Sequence, residues 1–78
     1  IKAPTLLIWG IQDSVTPVWV GEKFYELIPN SELVKVDRCG HAPMMERPDL
    51  FNIALESFIR RVEDGTFIEN RKAVTVLD

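Results

Sequence analysis

The feature that most constrains this chain is a continuous apolar run, Leu6-Leu7-Ile8-Trp9, introduced by Pro4 and Thr5 and closed by Gly10. A run without polar alternation suits a strand buried on both faces, as in a parallel sheet covered by helices. Residues 11–16 read as a loop. Thr16 is placed to cap a helix with Pro17 at its first position, where a missing N–H does no harm. Gly21, Phe24, Tyr25 and Ile28 then fall on one helical face, and Pro29-Asn30 ends the helix. Leu33, Val34 and Val36, with Glu32 and Lys35 beside and between them, form a second strand. Its polarity suits an edge strand.

Residues 37–48 read as a long loop. Pro48 opens a last helix with Asp49 in its first turn, Arg60 and Arg61 at its C-terminal end, and Gly65 beyond it. Phe51, Leu55, Phe58, Ile59 and Val62 give it an apolar stripe. The tail, residues 63–78, contains Ala73-Val74-Thr75-Val76-Leu77, expected either to pair as a strand or to be disordered. The order is strand, helix, strand, helix. A connection of about 20 residues is too long for a hairpin and long enough for a parallel crossover. The fold class is therefore α/β with parallel strands.

Composition removes several function classes. Of the 78 residues, 46% are hydrophobic and 27% charged, an ordinary globular balance. A net charge of −3 offers no basic footprint for nucleic acid. No apolar run approaches a membrane span. One cysteine, Cys39, excludes a disulfide framework and fits a reducing compartment such as the cytoplasm. One histidine and one cysteine do not make a closed zinc site, and no metal or cofactor is expected. The chain starts at Ile1, almost directly in a strand, so the true N-terminus is expected elsewhere.

Open α/β sheets place their sites beyond the carboxyl ends of the strands. Asp13 comes four residues after Trp9, and His41 five residues after Val36. Neighbouring strand axes lie about 4.8 Å apart, so two loops leaving one edge can bring a carboxylate to an imidazole nitrogen. The carboxylate would fix the tautomer, leaving the other nitrogen as a general base. Each residue also has a plainer reading: aspartate is a common turn residue, and a lone histidine is more often structural. It is their shared position after parallel strands that favours chemistry.

The residues that follow carry a resemblance. The stretch Leu6-Leu7-Ile8-Trp9-Gly10-Ile11-Gln12-Asp13-Ser14-Val15-Thr16-Pro17 resembles the strand and loop supplying the triad acid in α/β-hydrolases. Ile28-Pro29-Asn30-Ser31 resembles the following helix exit. Asp37-Arg38-Cys39-Gly40-His41-Ala42-Pro43-Met44-Met45-Glu46-Arg47-Pro48 resembles the histidine loop and the start of the last helix. The resemblance covers about residues 3–62 and implies the C-terminal portion of such a domain, with residues 63–78 as a tail. It implies that Asp13 is the triad acid and His41 the triad histidine. It also implies that Ala42 and Met44 border a substrate pocket, and that Glu46 holds its loop by accepting backbone N–H groups. Cys39 reads as a small buried filler.

The family order is Ser, then Asp or Glu, then His. Ser14, Ser31 and Ser57 sit in no nucleophile elbow, so the nucleophile and oxyanion hole are expected outside these residues. The histidine loop is similar to those of monoacylglycerol-lipase-like esterases and of hydrolases acting on the C–C bonds of ring-cleavage products. The resemblance thus implies a serine-type hydrolase with a small-molecule substrate in complete form, and no activity in this piece alone. Alternatives on the same fold are a haloperoxidase, a dehalogenase or an epoxide hydrolase. A non-catalytic fragment or interaction module is another. Alone, the piece is expected to self-associate through its exposed strand edge.

Overall fold

The sheet is organised around the strand with the most polar sequence. In a computed structural model describing residues 3–68 and 72–78, β1 (Thr5–Gly10), β2 (Ser31–Val36) and β3 (Ala73–Leu77) form a parallel sheet in that order. The register runs from Thr5 opposite Ser31 to Gly10 opposite Val36, and from Glu32 opposite Ala73 to Val36 opposite Leu77. Helix α1 (Val18–Leu27) joins β1 to β2; a short α2 (Pro43–Glu46) and the long α3 (Pro48–Glu63) precede β3.

Strand β2 is central, not the edge strand its polarity suggested. Ser31, Leu33, Val34 and Val36 are buried. Its two charged residues are absorbed by the helices: Lys35 pairs with Glu22 of α1 at 2.5 Å, and Glu32 with Arg61 of α3. Long charged side chains at this strand therefore mark helix contacts rather than open solvent. Strand β1, expected to be covered on both faces, is only half-buried from Thr5 to Trp9. Among the described residues it pairs with β2 alone.

Side chains alternate across a strand, and this assigns the helices to opposite faces. Trp9 and Lys35, register partners, meet Gly21 and Glu22 of α1. Leu6, Ile8, Val34, Val36 and Leu77 instead pack with Leu50 and Ala54 of α3 around the core. The indole of Trp9 lies so near α1 that a Cβ on Gly21 would sit 2.7 Å from its ring.

The helix ends show where local chemistry departs from expectation. Pro17 takes the N-cap position itself, so α1 starts at Val18, and no side chain caps it. Thr16 is engaged elsewhere: its carbonyl accepts the Trp9 Nε1–H at 2.9 Å. On the expected α1 face Gly21 is buried and Tyr25 half-buried, but Phe24 is 46% exposed and Ile28 lies just past the last turn. The long loop of residues 37–48 contains the turn of α2, started by buried Pro43.

In α3 the side pressed on the sheet is Leu50, Ala54 and Arg61, next to the predicted stripe rather than on it. Phe51, Leu55 and Phe58 are half-buried, while Ile59 and Val62 are exposed. The apolar arc of the helix is wider than three strands cover. A Schellman motif closes α3: Gly65, at φ 73°, sends its N–H to Val62 O, and Thr66 sends its N–H to Arg61 O.

Gly21→Ala is expected to destabilise the chain by roughly 1–3 kcal/mol, because a rigid indole cannot yield to the added methyl. A thermal melt unchanged from wild type would contradict this. The half-buried β1 edge, with Trp19 and Leu27 exposed at 63% and 70%, leads to a second expectation. The isolated 78-residue chain should self-associate. Light scattering at rising concentration checks it, and a persistent monomer would refute it.

Candidate active site

The two loops leave the carboxyl ends of adjacent strands and are stitched together over Gly10. Ile11 N–H donates to Val36 O at 2.9 Å, extending the β1–β2 pairing. Gln12 N–H then donates to Cys39 O at 3.0 Å, and Asp13 N–H turns back to Gly10 O at 3.2 Å. A Cβ on Gly10 would lie 2.0 Å from Gly40 O and 2.5 Å from Cys39 O. Only glycine lets the histidine loop lie this low on the strand end.

Asp13 and His41, the residues singled out in the sequence, are brought together. Asp13 Oδ1 accepts N–H groups from Val15 at 2.9 Å and Thr16 at 2.8 Å, while Oδ2 faces His41 Nδ1 at 3.0 Å. The carboxylate is thus divided, one oxygen for its own loop and one for the imidazole. Its side chain is 5% exposed, against 59% for that of His41. Burial pushes the Asp13 carboxyl up, but the N–H groups of Thr16 and Val15 and the His41 ring together outweigh it and hold the acid below its ordinary 3.8. With Asp13 ionised, the contact calls for a proton on Nδ1, which makes Nε2 the acceptor of the neutral ring.

Glu46 fixes the histidine loop from the other side. Its two carboxylate oxygens accept Gly40 N–H at 2.9 Å and Ala42 N–H at 3.1 Å, the loop-holding role expected of it. The same two bonds hold its own acid below the ordinary 4.5. Gly40 fits because a Cβ there would press on that carboxylate at 3.2 Å. Arg47 donates to Asp37 O at 2.9 Å, closing the loop at its base.

Asp13 and His41 border a concavity of about 170 Å³ whose other walls include Trp9, Thr16, Pro43 and Met44. Met44, expected at a pocket, lies on this wall. Ala42 does not; it is half-buried with its N–H turned to Glu46. Cys39 is 2% exposed, with its thiol 3.7 Å from Gly40 O, and burial, then Glu46, push its pKa up. That is a filler rather than a nucleophile. Ser14 is exposed beside the acid, Ser31 is buried and bonded to Tyr25 O and Ile28 O, and Ser57 lines a separate hollow under α3. None of them hydrogen-bonds His41. Among the described residues, no group of three or more His, Cys, Asp or Glu is arranged to hold a metal, and no helix is long and apolar enough to cross a membrane.

Gln12 escaped the sequence reading. Its amide bridges the two loops, with Oε1 accepting Cys39 N–H at 2.9 Å and Nε2 donating to Asp37 Oδ1 at 2.6 Å. A glutamine in a polar loop carries no signal of such a role; only the register of the strands places it opposite Cys39.

Known proteins agree with this architecture. The chain is 41% identical over 61 residues to a 2-hydroxy-6-oxononadienedioate/2-hydroxy-6-oxononatrienedioate hydrolase of Burkholderia vietnamiensis, covering 78% of this chain and 21% of that protein. It is 39% identical over 66 residues to a 2-hydroxy-6-oxo-6-(2'-aminophenyl)hexa-2,4-dienoic acid hydrolase of Metapseudomonas resinovorans, covering 85% and 23%. Monoacylglycerol lipase ABHD6 of Bos taurus is 44% identical over 48 residues, covering 62% and 14%. No family model matches the chain. These relatives are α/β-hydrolases, and the chain shares their α/β class in its parallel sheet flanked by helices. It spans about a fifth of the length of the curated relatives it matches first.

Three carboxylates, Asp13, Asp37 and Glu46, are held below their ordinary values of 3.8, 3.8 and 4.5. A depressed folded pKa contributes stability that is complete above the unfolded value and is lost as pH falls through the folded one. The urea midpoint is expected to be flat above about pH 5 and to drop as pH falls below these ordinary values. The Asp13→Asn/Glu46→Gln double variant should show a shallower drop. An equal acid slope in that variant and in wild type would count against the account.

Proposed function

We propose that Asp13 and His41 are the acid and histidine of a serine-type hydrolytic triad whose nucleophile comes from a part of the protein outside these 78 residues. The observation that carries this is the Asp13 Oδ2–His41 Nδ1 contact at 3.0 Å beside an open concavity. In the reaction, the serine hydroxyl adds to a substrate carbonyl while His41 Nε2 takes its proton. Asp13 holds the ring and steadies the imidazolium without itself being protonated. Collapse of the tetrahedral intermediate expels the leaving group, which takes that proton from His41. Water then repeats the cycle on the acyl-enzyme, releasing the acid and the free serine.

The substrate class we favour is a small molecule with a carbonyl next to an apolar arm: a carboxylic ester such as a monoacylglycerol, or a vinylogous diketone from ring cleavage. The apolar wall of Trp9, Pro43 and Met44 supports such an arm. The relatives' names, a lipase and two dienoate-type hydrolases, support both branches. Two of three catalytic parts do not make a catalyst, so this segment alone is expected to be inactive.

The test uses the complete protein that carries this segment, assayed with a p-nitrophenyl ester and with a 2-hydroxy-6-oxo dienoate. Asp13→Asn and His41→Ala should each lower kcat by roughly 10³–10⁴-fold with the fold intact. The isolated segment should turn over neither substrate above background. Near wild-type kcat in folded His41→Ala would refute the reading.

A further inference from the structure

We infer that Gln12 is a positioning residue for the Asp13–His41 pair, its amide setting the height of the histidine loop against the acid loop. The activity arm of this inference rests on the hydrolytic reading above. The geometric arm does not.

Residue 12 grips residue 39 twice. Its backbone N–H donates to Cys39 O at 3.0 Å, and its side-chain Oε1 accepts Cys39 N–H at 2.9 Å. Both polar backbone groups of Cys39 are thus held by one residue, directly beside Asp13. Cys39 is 2% exposed, and the exposed Gln12 side chain supplies the acceptor for its N–H. Meanwhile Nε2 donates to Asp37 Oδ1 at 2.6 Å, an oxygen that also accepts Arg38 N–H at 2.9 Å.

Arg38, between these two anchors, has φ 53°, a left-handed backbone that a side chain disfavours. Gln12 therefore clamps both flanks of the one strained non-glycine residue in the described loops. This turn aims the backbone of residues 39–41 over Gly10.

Glu46 holds the same loop at Gly40 and Ala42, but from within the histidine segment itself. It can shape that loop without setting its distance from Asp13. Gln12 reaches the backbone of that loop from the acid loop with its side chain, beside the backbone contacts and the Asp13–His41 contact itself. Its chemistry is specific: the site needs an acceptor and a donor on one planar group. Glutamate loses the donor and meets the Asp37 carboxylate, lysine loses the acceptor, and asparagine is a methylene short.

The experiment compares wild type, Gln12→Glu, Gln12→Ala and Gln12→Glu/Asp37→Asn in the complete protein. The double variant removes the repulsion between the two carboxylates, while Oδ1 at position 37 still accepts Arg38 N–H. One readout is the tautomer of the neutral His41 ring by nitrogen-15 NMR, with His41→Ala assigning the signal. The other is kcat and KM. Gln12→Glu should lower the Nδ1–H tautomer fraction and reduce kcat about tenfold, with KM within about twofold, as a small misplacement of the ring would. The double variant, freed of that repulsion, should fall between Gln12→Glu and wild type in both.

Single variants that melt earlier yet keep the wild-type tautomer and kcat would overturn the inference, leaving Gln12 structural. So would a double variant no closer to wild type than Gln12→Glu in either readout. If wild type hydrolyses neither substrate, the hydrolytic reading fails, and the tautomer measurement still decides the role of Gln12.

Discussion

The close approach of the histidine loop to the end of β1 is the contact on which the site depends. It exists because Gly10 has no side chain: Gly40 O occupies the space a Cβ would need. Ile11 and Gln12 can then continue pairing with Val36 and Cys39 beyond the last residues of the strands. Asp13 and His41 are delivered to one point as the next residues in two chains already hydrogen-bonded to each other. No long-range electrostatic attraction is needed to find the partner.

The same logic explains the division of labour among the carboxylates. Asp13 spends one oxygen on Val15 and Thr16 and offers the other to His41. Glu46 spends both oxygens on the backbone of the histidine loop. Asp37 serves Gln12 and Arg38. Three acids within one sheet edge would repel one another if bare. Here each is matched to N–H donors, and each stays ionised at lower pH than usual.

Much of this was legible in the residues. The run Leu6-Leu7-Ile8-Trp9 announced a strand, and the positions of Asp13 and His41 after two strands announced their meeting. Glu46 could be read as a loop holder. What the sequence hid was whatever depends on a distant partner. Glu32 and Lys35 looked like solvent-facing residues of an edge strand until Arg61 and Glu22 were seen to meet them. The stripe of α3 had the right period but the wrong azimuth, because three strands choose Leu50 and Ala54 over Ile59 and Val62. Thr16 looked like a cap, yet its carbonyl serves Trp9. Gln12 depends wholly on register, which no local pattern encodes.

The parallel register also dictates when the pair can form. Asp13 and His41 are 28 residues apart, and neither has a local interaction that draws it toward the other. The intervening chain must fold back and lay β2 beside β1 before the first contact between them gives any return. A hairpin would zip from its turn; this crossover cannot. The acid–histidine pair is therefore a late product of folding, completed only once two non-local strands have docked. Its geometry inherits every error made in that docking, and α1, which joins β1 to β2 and packs on both, is the spacer that lets them lie side by side.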